Sequence, residues 1–515
     1  MTIDRRRLLT ALGATGAMVM TGARGTPAQA ATGTRTGTDL PPGIDAWPVR
    51  PRGTAAAPPD WKALKARLGS RLVMPSDPSY SYERLGFNEL NDQQMPAAVA
   101  RCVSPGDVQA CLDVARGHGI PIAARSGGHS YLGYSVPNGG LVIDLRYLCQ
   151  VRVRSDGTAL VGAGARLIEV YAGLAQAGRL LPAGSCPTVG VAGLTQGGGI
   201  GVLTRKYGLT CDRLTAAQLV TADSKLLLAS AESEPDLHWA LRGGGGGNFG
   251  VVTQFAFRTE PAPPLTVFIL TFPAGSAAAA IGAWQSWASA APPELWSSCQ
   301  IASGTPPTVR IVGCYVGDQS TLTPLIDQLA RAAGVQPTRL VEPKDYLDAM
   351  KFMAGCANDT IEQCHLWWEG GILQRASFIA ESRMLPATPV DGGKVADLMV
   401  GPNGISLLLD VLGGAVAELA PDATAFPHRH SLASAQIYAG ATRAGYAATK
   451  KAVDAVRDGL AALGATGAYV NYIDDTLPHW GQAYYGRNLP KLKRVARHYD
   501  PDRVFAFPQS VVNGT

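Results

Sequence analysis

Charge is scarce in this 515-residue sequence: Asp, Glu, Lys and Arg make up 17% of it against 46% hydrophobic residues, and the formal net charge is only +5. That profile excludes a disordered chain. Three of the positive charges are the consecutive Arg5, Arg6 and Arg7, so no basic surface of the kind a nucleic-acid binder needs is indicated. No apolar run reaches the ~18 residues of a membrane span, and no segment repeats at a fixed period. None of the nine cysteines (102, 111, 149, 186, 211, 299, 314, 356 and 364) forms a CxxC pair, which argues against structural zinc, and no metal is expected. Their odd number leaves at least one over if the rest pair. Glycine, by contrast, is abundant: 60 residues, beside 36 prolines. Only glycine enters positive-φ conformations without strain, so tight turns and close backbone approaches should carry the function. At roughly 100–200 residues per domain the length allows two to four domains.

Residues 4–30, DRRRLLTALGATGAMVMTGARGTPAQA, combine a basic patch, a mildly apolar stretch from Leu8 to Ala23 and the small-residue site Ala28-Gln29-Ala30. This is the layout of an export signal with cleavage near Ala30, giving a secreted mature protein. Arg5-Arg6 followed by Arg7-Leu8-Leu9 resembles a twin-arginine signal, read by the machinery that exports proteins already folded around a cofactor; an ordinary secretory signal is the other reading. Residues 31–60 are Thr-, Gly- and Pro-rich, which suits a loose arm.

From Trp61 the pattern is α+β. Strands are expected at AVARCV, PIAAR and LVIDL, with a helix over SPGDVQACLDVARGHG capped by Ser104 and ended by Gly117 or Gly119. A strand pair flanks the Asp156-Gly157 turn, a helix covers LIEVYAGLAQAG, and strands resume at LTAAQLVTAD and GVVTQFAF. Pro261-Ala262-Pro263-Pro264 reads as a linker. Beyond it TVFILTF, TVRIVGCYV and ISLLLDVLG alternate with long helical runs, which suggests a large sheet with helices against one face.

Three tracts could carry chemistry. Arg125-Ser126-Gly127-Gly128-His129-Ser130 follows an apolar strand, and its small residues can turn several N–H groups toward one anion such as a diphosphate. A plain strand-ending turn, with His129 as a hydrogen-bonded turn residue, uses the same residues. The run from Gly184 through Cys186, Thr188, Val189, Gly190 and Gly193 to Gly198 and Gly201 exposes so much bare backbone that a large ligand, flat or charged, is implied. It lacks the preceding strand of a Rossmann fingerprint, and Cys186 alone reads equally as a small buried hydrophobe. In Ala468-Tyr469-Val470-Asn471-Tyr472-Ile473-Asp474, strand alternation would put Tyr472 and Val470 on one face and Tyr469 and Asn471 on the other. A tyrosine hydroxyl satisfied in the core is the alternative.

Taken in order, RSGGHS, GSCPTVGVAG, GGGIGVLTRKYGL, RGGGGGNFGVVT, TAFPHR, YVNYID, YYGRN and YDPDRVFAFPQS resemble the berberine-bridge-enzyme-like oxidases of the vanillyl-alcohol-oxidase flavoprotein superfamily, from about Trp61 to Ser510. The resemblance implies a split FAD-binding domain (residues 61–262), a substrate domain with a large antiparallel sheet (263–462) and a C-terminal segment returning to the FAD domain (463–515). It implies FAD held through Arg125, Ser126, Gly127, Gly128, Ser130, Gly184, Thr188, Val189, Gly190, Gly193, Gly198, Gly250, Val252 and Asn471. His129 matches the family histidine bonded to the flavin 8α-methyl, and Cys186 the cysteine attached to C6. Such bonds make chemical sense, because a thiolate adds to an electron-poor ring and an imidazole to its quinone-methide form. With Cys186 on the flavin, eight cysteines remain, an even number. Ala192 and Gln196 depart from the family pattern.

By the same resemblance Tyr472 is the catalytic base; Tyr469 and Asp410, the latter from its place before Leu412-Gly413-Gly414, are second candidates, and a solvent-facing strand end is the other reading of Asp410. The expected activity is oxidation of an alcohol (a sugar, oligosaccharide or secondary-metabolite hydroxyl) with O₂ as acceptor and H₂O₂ released. Val189 matches a position over the flavin where valine goes with oxidases. Rival readings are a dehydrogenase, an oxidative cyclase and a flavin-binding protein without turnover. Substrate choice falls in 265–460, where no side chain besides the candidate Asp410 is singled out.

Overall fold

Ser104 accepts a hydrogen bond from Asp107 N (3.2 Å), Pro105 opens the helix Pro105–His118, and Gly119 ends it at φ 64°, as cap chemistry dictates. The structure, a computed structural model, describes residues 59–514. The export segment 1–30 and nearly all of the arm 31–60 lie outside the described residues. The helix links β2 (Ala98–Arg101), which pairs antiparallel with β1 (Leu72–Val73), to β3 (Ile122–Arg125) and β4 (Leu141–Asp144); β2, β4 and β3 run parallel in that order. A second, antiparallel sheet comprises β5 (Val151–Val153), β6 (Thr158–Gly162), β8 (Leu214–Val220), β9 (Leu226–Ser230) and β10 (Val251–Arg258), in the order β5-β6-β10-β8-β9. Between them β7 (Arg179–Leu180) pairs with β11 (Glu260–Pro261).

The remainder is built on one seven-stranded antiparallel sheet. It contains β12 (Leu265–Thr271), β13 (Leu295–Ala302), β14 (Thr308–Val316), β15 (Thr338–Lys344), β16 (Phe378–Met384), β17 (Ile405–Val411) and β18 (Ala433–Gly440), ordered β15-β12-β14-β13-β17-β18-β16. The helices Ala277–Ala290 and Gln319–Ala333 pack together, the first of them also against β13 and β14, while Tyr446–Ala462 packs on β16 and β18. With helices on one face, the register decides what the other presents, because strand residues alternate between faces. One register row across the sheet runs Ile269, Val312, Ser298, Asp410, Ser434; the next runs Thr271, Arg310, Gln300, Leu408, Gln436. Strands β13 and β18 escape a hydrophobic-pattern reading because Ser298, Gln300, Ser434 and Gln436 take positions on this face.

One expectation is corrected. AYVNYID is not a strand: Tyr472 N closes a turn onto Tyr469 O (2.9 Å), and Val470–Tyr472 form a 3₁₀ turn. Tyr469 N donates instead to the Ser382 hydroxyl (2.9 Å), so the segment has no strand ladder to join. The pairing of the cysteines, which the sequence left open, is seen here: Cys356–Cys364 is the one disulfide among the described residues, and the other seven cysteines are free. Cys102 and Cys111 lie 4.0 Å apart, sulfur to sulfur, as buried thiols.

Candidate active site

The Arg125–Ser130 loop starts from a fixed point. Arg125 ends β3, and its buried guanidinium donates to Asp144 Oδ2 (2.7 Å), Glu83 O (2.6 Å) and Leu85 O (3.1 Å). Arg146 grips the same carboxylate (2.6 Å). Burial pushes the Asp144 pKa up, but Arg146 and Arg125 outweigh it and hold it well below the usual carboxylate range. Beyond Arg125 the loop crosses the second glycine tract. A Cβ on Gly127 would sit 2.2 Å from Gly190 N, and one on Gly190 would sit 2.1 Å from Ser126 Oγ. The two tracts pass so closely that only glycine fits at the crossing.

This crossing brings the two candidate nucleophiles to one hydroxyl. His129 Nε2 lies 2.9 Å and Cys186 Sγ 3.7 Å from Thr188 Oγ1. The imidazole stacks on Phe87 with centroids 3.9 Å apart. Burial, helped by the Arg166 charge, lowers the His129 pKa to about 3, so the ring is neutral and its nitrogen lone pair is available. Burial raises the Cys186 pKa, leaving a thiol. Among the described residues, the N–H groups of Gly127, Gly128, His129 and Ser130 reach no backbone carbonyl. The same holds for Gly246 and Gly247, while Asn248 Nδ2 gathers the carbonyls of Gly244, Gly245 and Gly246 at 3.2–3.4 Å. Two groups of free donors at bare backbone are what an anionic diphosphate requires.

These loops line a cavity of about 590 Å³ whose other wall is the open face of the seven-stranded sheet. Tyr472 stacks on Tyr131 (5.6 Å between centroids) and meets Tyr469 edge-on (5.0 Å). The Tyr469 hydroxyl is already engaged: it accepts from Gly199 N (2.9 Å) and from Asn471 Nδ2 (2.8 Å), and Asn471 also donates to Leu194 O (3.0 Å). Tyr469 and Asn471 therefore hold the glycine tract in place. Burial carries Tyr469 to about 12 and lifts Tyr472 well above its ordinary value, with Tyr131 and Asp410 adding to the latter. Asp410 is no solvent-facing strand end. It lines the cavity from β17, and burial raises its pKa to about 6 against the opposing effect of the Ser298 hydroxyl.

Of the residues expected at the site, Ser126, Gly127, Gly128, His129, Ser130, Gly184, Cys186, Val189, Gly190, Gly193, Gly250, Val252, Tyr469, Asn471, Tyr472 and Asp410 line this cavity. Arg125 and Thr188 stand behind the wall. Gly198 packs off it, where a Cβ would meet Phe426 at 2.9 Å. Sequence reasoning missed Tyr131, Trp296, Ser298, Gln300, Arg310 and Gln436, which also line it. Tyr131 directly follows Ser130, a usable signal, whereas the sheet residues become visible only through strand register.

The sequence profile of the FAD binding domain matches residues 96–230, and that of the berberine and berberine-like group matches 468–512. The FAD-linked oxidoreductase YgaK of Bacillus subtilis is 33% identical over 458 residues, covering 87% of this chain and 98% of its own. Among solved structures, BBE-like 1 of Physcomitrella patens superposes with a TM-score of 0.82 at 30% identity, over 88% of this chain and 99% of its own. The glucooligosaccharide oxidase of Acremonium strictum, described with a 6-S-cysteinyl, 8α-N1-histidyl FAD, gives 0.77 at 28% identity, over 87% and 98%. The free N–H groups, the bare glycine backbone and the two nucleophiles fit a flavin dinucleotide.

Proposed function

Since the chain belongs to the berberine-bridge-enzyme-like FAD-linked oxidoreductases, an FAD enzyme by that membership, we propose that it is an exported oxidase of alcohols with its flavin held by two covalent bonds. The observation that carries this reading is the convergence of His129 and Cys186 on Thr188 Oγ1 in the cavity that Tyr472 and Asp410 also line. His129 would bond the 8α-methyl carbon and Cys186 would bond C6, each in place of a C–H bond, with the proton released and the electron pair left on the flavin for O₂ to remove; two positions on one ring suit two nucleophiles sharing one hydroxyl. The free N–H groups of 127–130 and of Gly246 and Gly247 hold the diphosphate. Export rests on residues 4–30 and follows the twin-arginine route; residues 61–262 with 463–515 hold the flavin, and 263–462 the substrate.

Bound there, FAD would supply the acceptor for the hydride and the route of the electron pair to O₂, giving H₂O₂. The residues of the chain handle the proton. Tyr472, whose pKa is lifted far up, cannot stand ionised at neutral pH, whereas Asp410, near 6, does. Tyr472 therefore takes the substrate hydroxyl proton as its own passes toward Asp410. The substrate is a sugar, oligosaccharide or secondary-metabolite alcohol, the glucooligosaccharide oxidase supporting the carbohydrate reading.

Acid precipitation tests the attachment. Yellow colour should stay with the wild-type polypeptide and with either single variant, His129→Ala or Cys186→Ala, and leave with the double variant. A colourless wild-type pellet refutes the double bond. Anaerobic bleaching by a sugar panel, followed by H₂O₂ release on admitting air, tests the oxidase assignment.

A further inference from the structure

Deeply buried guanidinium groups in this protein are matched by carboxylates: Arg125 by Asp144, Arg429 by Asp212 and Arg457 by Asp474. Arg205, without a carboxylate partner, instead donates to the carbonyls of Leu412 and Ala291, away from the cavity. Arg310 has neither arrangement. It projects from β14 into the cavity wall, part-buried, and both Nε (3.1 Å) and Nη2 (2.7 Å) donate to the single amide oxygen of Gln300. Its register neighbours, Thr271 and Gln300, are uncharged. Burial alone moves its pKa, downward, with no neighbouring charge acting on it. Nη1 has no hydrogen-bond partner among the described residues.

A cation taken from water without a counter-charge is costly, and a neutral amide oxygen only partly offsets the loss. Asp410 does not supply the charge. It lies two strands and one register step away, about 12 Å between backbone positions at ~4.8 Å per strand and ~3.4 Å per residue. Asp359 also lines the cavity, from the segment after Met353, but neither it nor Asp410 acts on the Arg310 charge, which therefore stands on the cavity wall without a partner. We propose that Arg310, held by Gln300, binds an anionic group of the substrate, and that the substrate is a hydroxylated carboxylate: an acidic oligosaccharide whose oxidised hydroxyl lies at Tyr472 and whose carboxylate lies at Arg310. This rests on the alcohol-oxidase reading above.

The matched pair cellobiose and cellobiouronic acid, which differ only in a carboxylate at C6 of the non-reducing ring, tests it. Titration calorimetry on the folded, flavin-loaded protein should show the acid binding about 10- to 100-fold more tightly than cellobiose, the range for a hydrogen bond to a charged group. Arg310→Gln should abolish that preference, so that the acid and cellobiose bind alike, and Arg310→Lys should keep part of it. Equal affinities, no binding of either sugar, or a preference that survives in Arg310→Gln overturns the proposal. Anaerobic bleaching separates it from its premise. An Arg310-dependent preference without bleaching overturns the oxidase reading and keeps the anion site; bleaching by both sugars with no preference does the reverse.

Discussion

On one side of the cavity bare backbone forms the wall: Gly127 and Gly190 cross within contact distance, and Gly245, Gly246 and Gly247 present their peptides directly. On the other side the seven-stranded sheet presents side chains, with Asp410, Ser298, Gln300 and Arg310 standing on consecutive strands at fixed register. At the Gly127–Gly190 crossing the first wall tolerates no added atom, because the neighbours there include backbone, which cannot rotate away. The second can change its side chains while every main-chain hydrogen bond stays in place. A cofactor common to a family suits the rigid wall, and a substrate that differs between relatives suits the adjustable one.

The largest effect should come where the two walls meet. Tyr472→Phe should lower kcat by about 10²–10⁴, the range for removing a general base, with flavin content unchanged in the visible spectrum. An unaltered kcat would shift the proton transfer to Asp410 alone. The contrast between the walls is then tested by a pair of variants. Gly190→Ala places a Cβ 2.2 Å from Gly127 N and should destabilise the protein by about 1–3 kcal/mol or more, the cost of overpacking, yielding flavin-poor protein. Leu408→Ala, across the cavity, should keep full flavin and alter only KM; equal flavin loss in both would erase the distinction.

A smaller effect follows from Asp410, whose pKa near 6 makes it a base only when deprotonated. Acidification protonates it, so kcat should fall about tenfold per pH unit below pH 6 and level off above it. Asp410→Asn should flatten that limb at a reduced rate, and a limb that persists in the variant would assign it to another group. The smallest effect concerns Val189 on the backbone wall. If its short β-branched side chain leaves room for O₂, Val189→Leu should slow reoxidation in stopped flow by about tenfold, the scale of one methylene in a tight pocket, while flavin reduction keeps its rate. Equal reoxidation rates would remove Val189 from oxygen access.

The backbone wall was largely readable from the primary structure. Glycine spacing, the Ser104 cap and the Asp156-Gly157 turn are local signals, and the residues that need glycine announce it. Even there, sequence did not show that Thr188 joins His129 to Cys186, nor that the hydroxyl of Tyr469 is occupied by Gly199 N–H. The YVNYID segment misled because its alternation mimics a strand, while its backbone partners lie on other elements. On the sheet wall the reading stopped at three apolar strands. Ser298 and Gln300 look like ordinary polar residues until β13 is aligned between β14 and β17.

By itself, then, the sequence determined the α+β class and the glycine tracts, because those depend on local conformation, and through its family resemblance it pointed to His129 and Cys186 as candidate nucleophiles. Tertiary structure alone decided which side chains share the cavity with them. It set Asp410 in the wall with a raised pKa, fastened Tyr469 to the glycine tract and left Arg310 facing the cavity without a counter-charge. The physical reason is that burial, register and the distance between charges depend on strands far apart in the chain, and no local pattern encodes which of those strands become neighbours.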